Sequence, residues 1–222
     1  MANQIQIEIT KNNLTKYKII SIFRHKKENK KEIKMEKIIF ENYDNKTKEM
    51  VSQELDITNE PTIEEFLNKG NLNDYIVKVG DITADTLKCG YRVNINEEWK
   101  KHKHWAYVLV IGGKVVKCGD STMTLKGRWG SYSAGTRENR DNGTCSTTNY
   151  FISEIIRTSH EMGYEVELHG YAIPEIRVDV DVFGEIDNCR GDFVSYFESK
   201  LIKKFVDNFG HKPVVGKNGL VK

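Results

Sequence analysis

The chain has 222 residues, 38% hydrophobic and 30% charged, values that suit a folded globular protein and exclude wholesale disorder or a fibrous repeat. With 34 basic and 32 acidic residues the net charge is +2, so overall charge does not announce a nucleic-acid partner. The cysteines Cys89, Cys118, Cys145 and Cys189 form no CxxC pair, which argues against a zinc ribbon or a disulfide framework and for reduced thiols in a cytoplasmic protein. No run approaches the roughly 18 apolar residues of a membrane span.

Up to Lys101 the chain reads as alternating short strands and helices, beginning with the period-2 segment Ile5, Ile7, Ile9. Arg24, Lys26, Lys27, Lys30, Lys31, Lys34 and Lys37 cluster here, interrupted by Glu28, Glu32 and Glu36. Such a pattern suits either a solvated helix face or a contact with a DNA backbone. A helix is marked by Pro61, by Thr62 with Glu65 three residues on, and by a stop at Gly70. Residues 1–101 are expected to form an accessory region for DNA recognition or dimerisation, and residues 102–222 the domain that carries chemistry.

From Trp105 the pattern sharpens. Tyr107 to Ile111 and Val115 to Cys118 are β-prone runs separated by Gly112-Gly113, a hairpin signal. Asp120, Ser121 and Thr122 offer helix caps before Leu125 to Trp129, and a loop rich in Gly, Asn and Thr is expected to about Thr147. A helix through Phe151, Ile155 and Ile156 should stop near Gly163, followed by a strand in which Tyr164, Val166 and Leu168 alternate with charges. In the last element Phe193, Val194, Phe197, Leu201, Ile202, Phe205, Val206 and Phe209 recur at helical spacing, closed by Gly210. On this helix Glu198 falls near the middle of the apolar arc. A carboxylate there must meet a cation, bind a metal, stay protonated or escape to solvent. The fold class is α/β (α+β): a small mixed or antiparallel sheet flanked by helices, with an N-terminal α/β extension.

Taken in order, Tyr107, Lys117-Cys118-Gly119, Arg128 and Glu198 resemble the signature of the GIY-YIG nucleases. Trp105-Ala106-Tyr107 stands in the place of GIY and Lys117-Cys118-Gly119 in the place of YIG. Lysine in the second motif resembles the type II restriction branch, and Glu198-Ser-Lys-Leu201-Ile202-Lys-Lys-Phe205 resembles the family's glutamate helix. Tyr132 matches a position where members carry His or Tyr. A family asparagine could be represented by Asn208 or Asn218. A strict two-residue Gly112-Gly113 hairpin would put Tyr107 and Lys117 on opposite faces, so a shared site requires a bulge or a longer loop.

The resemblance implies phosphodiester hydrolysis leaving 5′-phosphate and 3′-hydroxyl ends. Glu198 would be the metal ligand, holding one Mg²⁺ with Mn²⁺ as a possible substitute. Arg128 would contact the scissile phosphate. Tyr107 would act as general base, its pKa lowered by Lys117, with Tyr132 nearby. Double-stranded DNA is the implied partner and a homodimer the implied assembly. Arg137 and Arg140, between Ser131 and Asn149, are candidate DNA readers. A homing or repair nuclease and a catalytically inactive DNA-binding module are the alternatives. No His constellation with metal-ligand spacing occurs.

Overall fold

The computed structural model describes residues 37–43, 49–85 and 90–216. All but Lys37 of the basic N-terminal cluster, the Ile5 to Ile9 segment, Cys89 and Asn218 lie outside these residues. Lys37 itself pairs with Glu54 at 2.6 Å.

The first hairpin, β1 (Lys37–Tyr43) with β2 (Met50–Asp56), is followed by helix α1 (Ile63–Gly70). Thr62 and Glu65 form the expected capping box: the Glu65 amide donates to the Thr62 hydroxyl, and the Thr62 amide to the Glu65 carboxylate. Gly70 is the last helical residue, and the left-handed cap is Asn71.

Five strands form the central sheet: β3 (Val77–Asp85), β4 (Gly90–Ile95), β5 (Trp105–Ile111), β6 (Lys114–Ser121) and β7 (Val166–Ala172). Their order is β4-β3-β7-β5-β6, and every pairing is antiparallel. The expected small antiparallel sheet is therefore present. β3 and β4 precede residue 101 yet belong to the same sheet as β5 to β7, and all described residues fall in one compact unit that begins at Lys34.

Helices α2 (Leu125–Ser133), α3 (Arg137–Asp141) and α4 (Thr147–Glu161) lie between β6 and β7. The cap of α2 is Thr124, because β6 extends through Ser121 and takes up Asp120 and Ser121 as strand residues. The stretch expected as a loop to Thr147 contains the short helix α3, started by the Thr136 hydroxyl accepting from the Asn139 amide. After β7 comes a second hairpin, β8 (Ile176–Val182) with β9 (Glu185–Gly191), and then α5 (Val194–Phe209), ended by left-handed Gly210.

Side chains alternate across β5, so the sheet buries two layers. Trp105, Tyr107, Leu109 and Ile111 pack with Trp129 and Tyr132 of α2 and Phe151, Ile152, Ile155 and Ile156 of α4. Ala106, Val108 and Val110 pack with Phe66 of α1 and Val194, Leu201 and Phe205 of α5. With β5 buried along its whole length, the sheet is a rigid floor for whatever projects from its β6 edge.

Candidate active site

The turn between β5 and β6 uses two residues, Gly112 and Gly113, at φ of 54° and 81°. Left-handed conformations at both central positions define the tight hairpin turn that glycine favours. Ile111 pairs with Lys114 and Val110 with Val115, but then Leu109 pairs with Lys117 and Tyr107 with Gly119. Val116 is the extra residue of a β-bulge, and from there on Tyr107, Leu109, Lys117 and Gly119 share one face. The hairpin thus satisfies the condition for a joint site by the bulge rather than by a longer loop.

Gly119 has a direct steric role. A Cβ there would lie 2.5 Å from Cζ of Tyr107 and 2.6 Å from its hydroxyl oxygen. Only glycine lets the phenol lie flat across the neighbouring strand. The ring is further fixed by Trp129, whose centroid lies 5.3 Å away at 69°, and its hydroxyl is hydrogen-bonded to that of Tyr132 at 3.1 Å.

Arg128 sits on α2 one turn before Tyr132, with Leu125, Trp129 and Tyr132 buried along the same stripe. Its guanidinium carbon stacks 4.7 Å from the Tyr132 ring centroid, and its positive charge acts on both phenols. Burial opposes its charge, but the two tyrosines outweigh that and raise its pKa. Its Nε is buried without a hydrogen-bond partner among the described residues. A guanidinium N–H held dry and unmatched costs free energy unless an acceptor arrives.

Burial pushes the Tyr107 pKa well above its ordinary value, Tyr132 adds to the rise, and Arg128 offsets part of it. This corrects the expectation that Lys117 lowers the tyrosine pKa, since Arg128 is the cation that favours the phenolate and desolvation outweighs it. Lys117 has a lowered pKa through burial, opposed chiefly by the negative charge of Glu198.

Glu198 is buried on α5, 3% exposed, as its place in the apolar arc implied. The carboxylate lies within electrostatic reach of Lys117. Because β6 is an edge strand, groups above and below the sheet can meet around Lys117: Arg128 from the α2 side and Glu198 from the α5 side. Four of the expected residues, Tyr107, Arg128, Tyr132 and Lys117, therefore gather with Glu198 at one sheet edge.

Asp120, expected as a helix cap, is a strand residue of β6 beside the site. It accepts a hydrogen bond from the Ser195 hydroxyl at 3.0 Å, joining β6 to α5 one turn before Glu198, and its charge acts on Lys117, Arg128 and Tyr132. The signal available was its position immediately after Gly119. Asn208 is exposed on α5 and donates to its own helix through the Lys204 carbonyl at 2.7 Å.

Among the described residues no group of three or more His, Cys, Asp or Glu could hold a metal ion. Glu198 would then offer a hard oxygen donor with most coordination positions left to water or phosphate oxygens, the donor set that suits Mg²⁺. No helix among the described residues is long and apolar enough to cross a membrane.

No protein-family model matches the sequence, and neither does any curated protein. Among solved structures, the restriction endonuclease HPY188I in complex with product DNA is similar, with a TM-score of 0.50 and 25% identity over 71% of this chain and 86% of that one. EndoII of bacteriophage T4, solved as a mutant, is similar with a TM-score of 0.49 and 16% identity over 64% of this chain and 94% of that one. The chain has a GIY-YIG-like nuclease fold, structurally similar to restriction endonucleases at low identity.

Proposed function

We propose that the protein is a DNA endonuclease that hydrolyses phosphodiester bonds at specific sites, in the manner of a type II restriction enzyme. The observation that carries this reading is the Nε of Arg128, buried and without a partner among the described residues, beside the Tyr107–Tyr132 pair. An N–H so placed awaits an acceptor, and a planar guanidinium matches two phosphate oxygens. The similarity to a restriction endonuclease solved with product DNA supports the same substrate class.

Arg128 would bind the scissile phosphate. Tyr107 would take the proton from the attacking water, with Tyr132 fixing the phenol through their shared hydrogen bond and Arg128 stabilising the phenolate. Lys117 would contact the phosphate from the edge strand. Glu198 would hold one Mg²⁺, or Mn²⁺ in its place, which when bound supplies relief of negative charge on the departing oxygen. Symmetric cutting of both strands of a duplex fits a homodimer, since two-fold protein symmetry mirrors a palindromic target.

The test is cleavage of unmethylated plasmid and phage DNA by the purified protein with Mg²⁺ or EDTA. Discrete Mg²⁺-dependent bands, absent with Glu198→Ala although DNA binding persists, are expected. A smear would replace the site-specific reading with a homing or repair type, and intact DNA across many substrates would leave a DNA-binding module. The pH profile tests the base. With a raised phenol pKa the phenolate fraction grows tenfold per pH unit through neutrality, so cleavage should rise with pH and show no plateau at neutral pH. Tyr107→Phe should lose both the activity and this rise, and cleavage by Tyr107→Phe at the wild-type rate would remove the tyrosine from the mechanism.

A further inference from the structure

On the α5 side of the sheet, away from Tyr107, a groove of about 420 Å³ opens between the end of α1, β7 and α5. Its walls are aromatic. Tyr75 meets Tyr171 edge-on with centroids 6.2 Å apart, Tyr171 tilts against Phe197 at 5.6 Å, and Phe197 meets Tyr196 edge-on at 6.1 Å. Tyr75 is 58% and Tyr196 57% exposed, so these two rings at the rim are not used to fill the core. The charged residues lining the groove are both basic, Lys200 and Lys204. Lys200 stands 5.2 Å from the Tyr196 ring centroid, and the Lys204 ammonium donates to the Gly70 carbonyl at 2.7 Å. None of these side chains has a part in the hydrolysis described above.

We propose that this groove binds an unpaired nucleobase of a DNA strand, stacked on the exposed rings of Tyr196 and Tyr75, with the adjoining phosphate drawn to Lys200. The inference rests on the nuclease reading for its choice of nucleic acid. An aromatic wall offers any base a π-face, and a rim that is basic without a lining carboxylate complements a phosphodiester rather than a mixed-charge peptide. The volume lies within the range of small-ligand pockets, enough for a single base to enter. Lys200 follows Glu198 by two positions on α5, so one rigid helix would carry both the proposed metal ligand and this cation.

The probe is a single-stranded oligonucleotide containing 2-aminopurine, titrated in EDTA so that cleavage does not intrude, with wild-type protein, Tyr196→Ala, Tyr196→Phe and Lys200→Ala. These side chains are exposed, and thermal melting checks that each variant folds. Binding should quench the fluorophore. Tyr196→Ala should weaken affinity about tenfold or more and lose the quenching, whereas Tyr196→Phe, which keeps the ring face, should retain both. Lys200→Ala should lower the slope of log affinity against log salt by about one contact.

Undiminished binding and quenching by Tyr196→Ala, or no oligonucleotide binding by the wild type, would overturn the proposal. So would a Tyr196-dependent self-association by sedimentation without oligonucleotide binding, which would assign the groove to a second copy. Duplex cleavage in Mg²⁺, measured alongside, keeps the two readings apart. Cleavage without any effect of Tyr196→Ala on oligonucleotide binding sinks only the groove, and groove-dependent binding without cleavage sinks only the nuclease.

Discussion

At the scale of single residues, the site depends on an absence as much as on its functional groups. Tyr107 can reach Tyr132 and Arg128 because Gly119, directly across the ladder, carries no side chain. Gly119→Ala should displace the phenol, cost about 1–3 kcal/mol of stability through overpacking, and reduce cleavage far more than it reduces folding. A melting curve and a cleavage rate on the same preparation measure the two effects, and an alanine variant that cuts at the wild-type rate would refute this role. The proximity of Tyr107 to Arg128 and the burial of Glu198 were foreseeable from the sequence because their residue types and order are distinctive. The Tyr107–Tyr132 hydrogen bond and the Asp120–Ser195 link were not, since each joins distant positions and depends on side-chain directions that no local pattern encodes. The pKa of Tyr107 was misjudged for a related reason: proximity of a lysine could be guessed, but not the complete burial of the phenol.

At the scale of elements, the amphipathic helices were the legible part. The capping box of α1 and the apolar arc of α5 are both where period and caps put them, because those signals act within a few residues. Residues 176–191 carry no element expected from the sequence, although Ile176, Val178, Val180 and Val182 alternate and Phe183-Gly184 forms a tight turn with both residues at positive φ. The dense acidic residues between them hid the strand pattern. Among the described residues this hairpin pairs only with itself, and Phe183 at its tip is fully exposed. Two strands that pair with each other alone among the described residues are marginally stable, whereas β5 is buried from end to end between β6 and β7. Hydrogen exchange should therefore show β8 and β9 opening fastest and β5 slowest. Equal protection of the two would contradict the assignment of the stable core to the five-stranded sheet.

At the scale of the whole molecule, β3 and β4 complete a sheet whose β6 edge, with the candidate site, lies at its far end, a long-range arrangement that periodicity alone does not specify. That edge is closed by two further segments: Val115 donates to the Pro61 carbonyl, and Val215 to the Val116 carbonyl, both at 2.9 Å. Beside the first of these, Glu60 is buried, its Oε2 without a partner among the described residues and its Oε1 3.8 Å from His211. Burial pushes its pKa up to about 7, against an ordinary 4.5, while His211 and Lys114 oppose the shift. Between these values the folded chain holds a proton that the unfolded chain releases. The contribution of Glu60 to stability is therefore present below the lower value and declines as pH rises towards 7, by on the order of 3 kcal/mol. Melting temperatures of the wild type and Glu60→Gln across this window should diverge as pH rises, with the glutamine variant the less sensitive. Parallel curves would show that Glu60 does not hold the proton.

The bulge at Val116 also determines which changes of chain length this hairpin can absorb. From the turn to Tyr107 the chain spends four residues, from the turn to Gly119 five, and the surplus sits at one rung. Deleting Val116 leaves Leu109 opposite Lys117 and Tyr107 opposite Gly119, so the edge keeps its register while losing a buried side chain and the bond that the Val116 carbonyl accepts from Val215. Deleting a residue between Tyr107 and Gly112 instead shifts β5 by one step and turns Tyr107 towards α5, away from Arg128. A one-residue deletion thus preserves the shared face of Tyr107 and Lys117 when it falls at the bulge and destroys it when it falls on β5, so chains that place the two residues identically can differ by one in the number of residues between them.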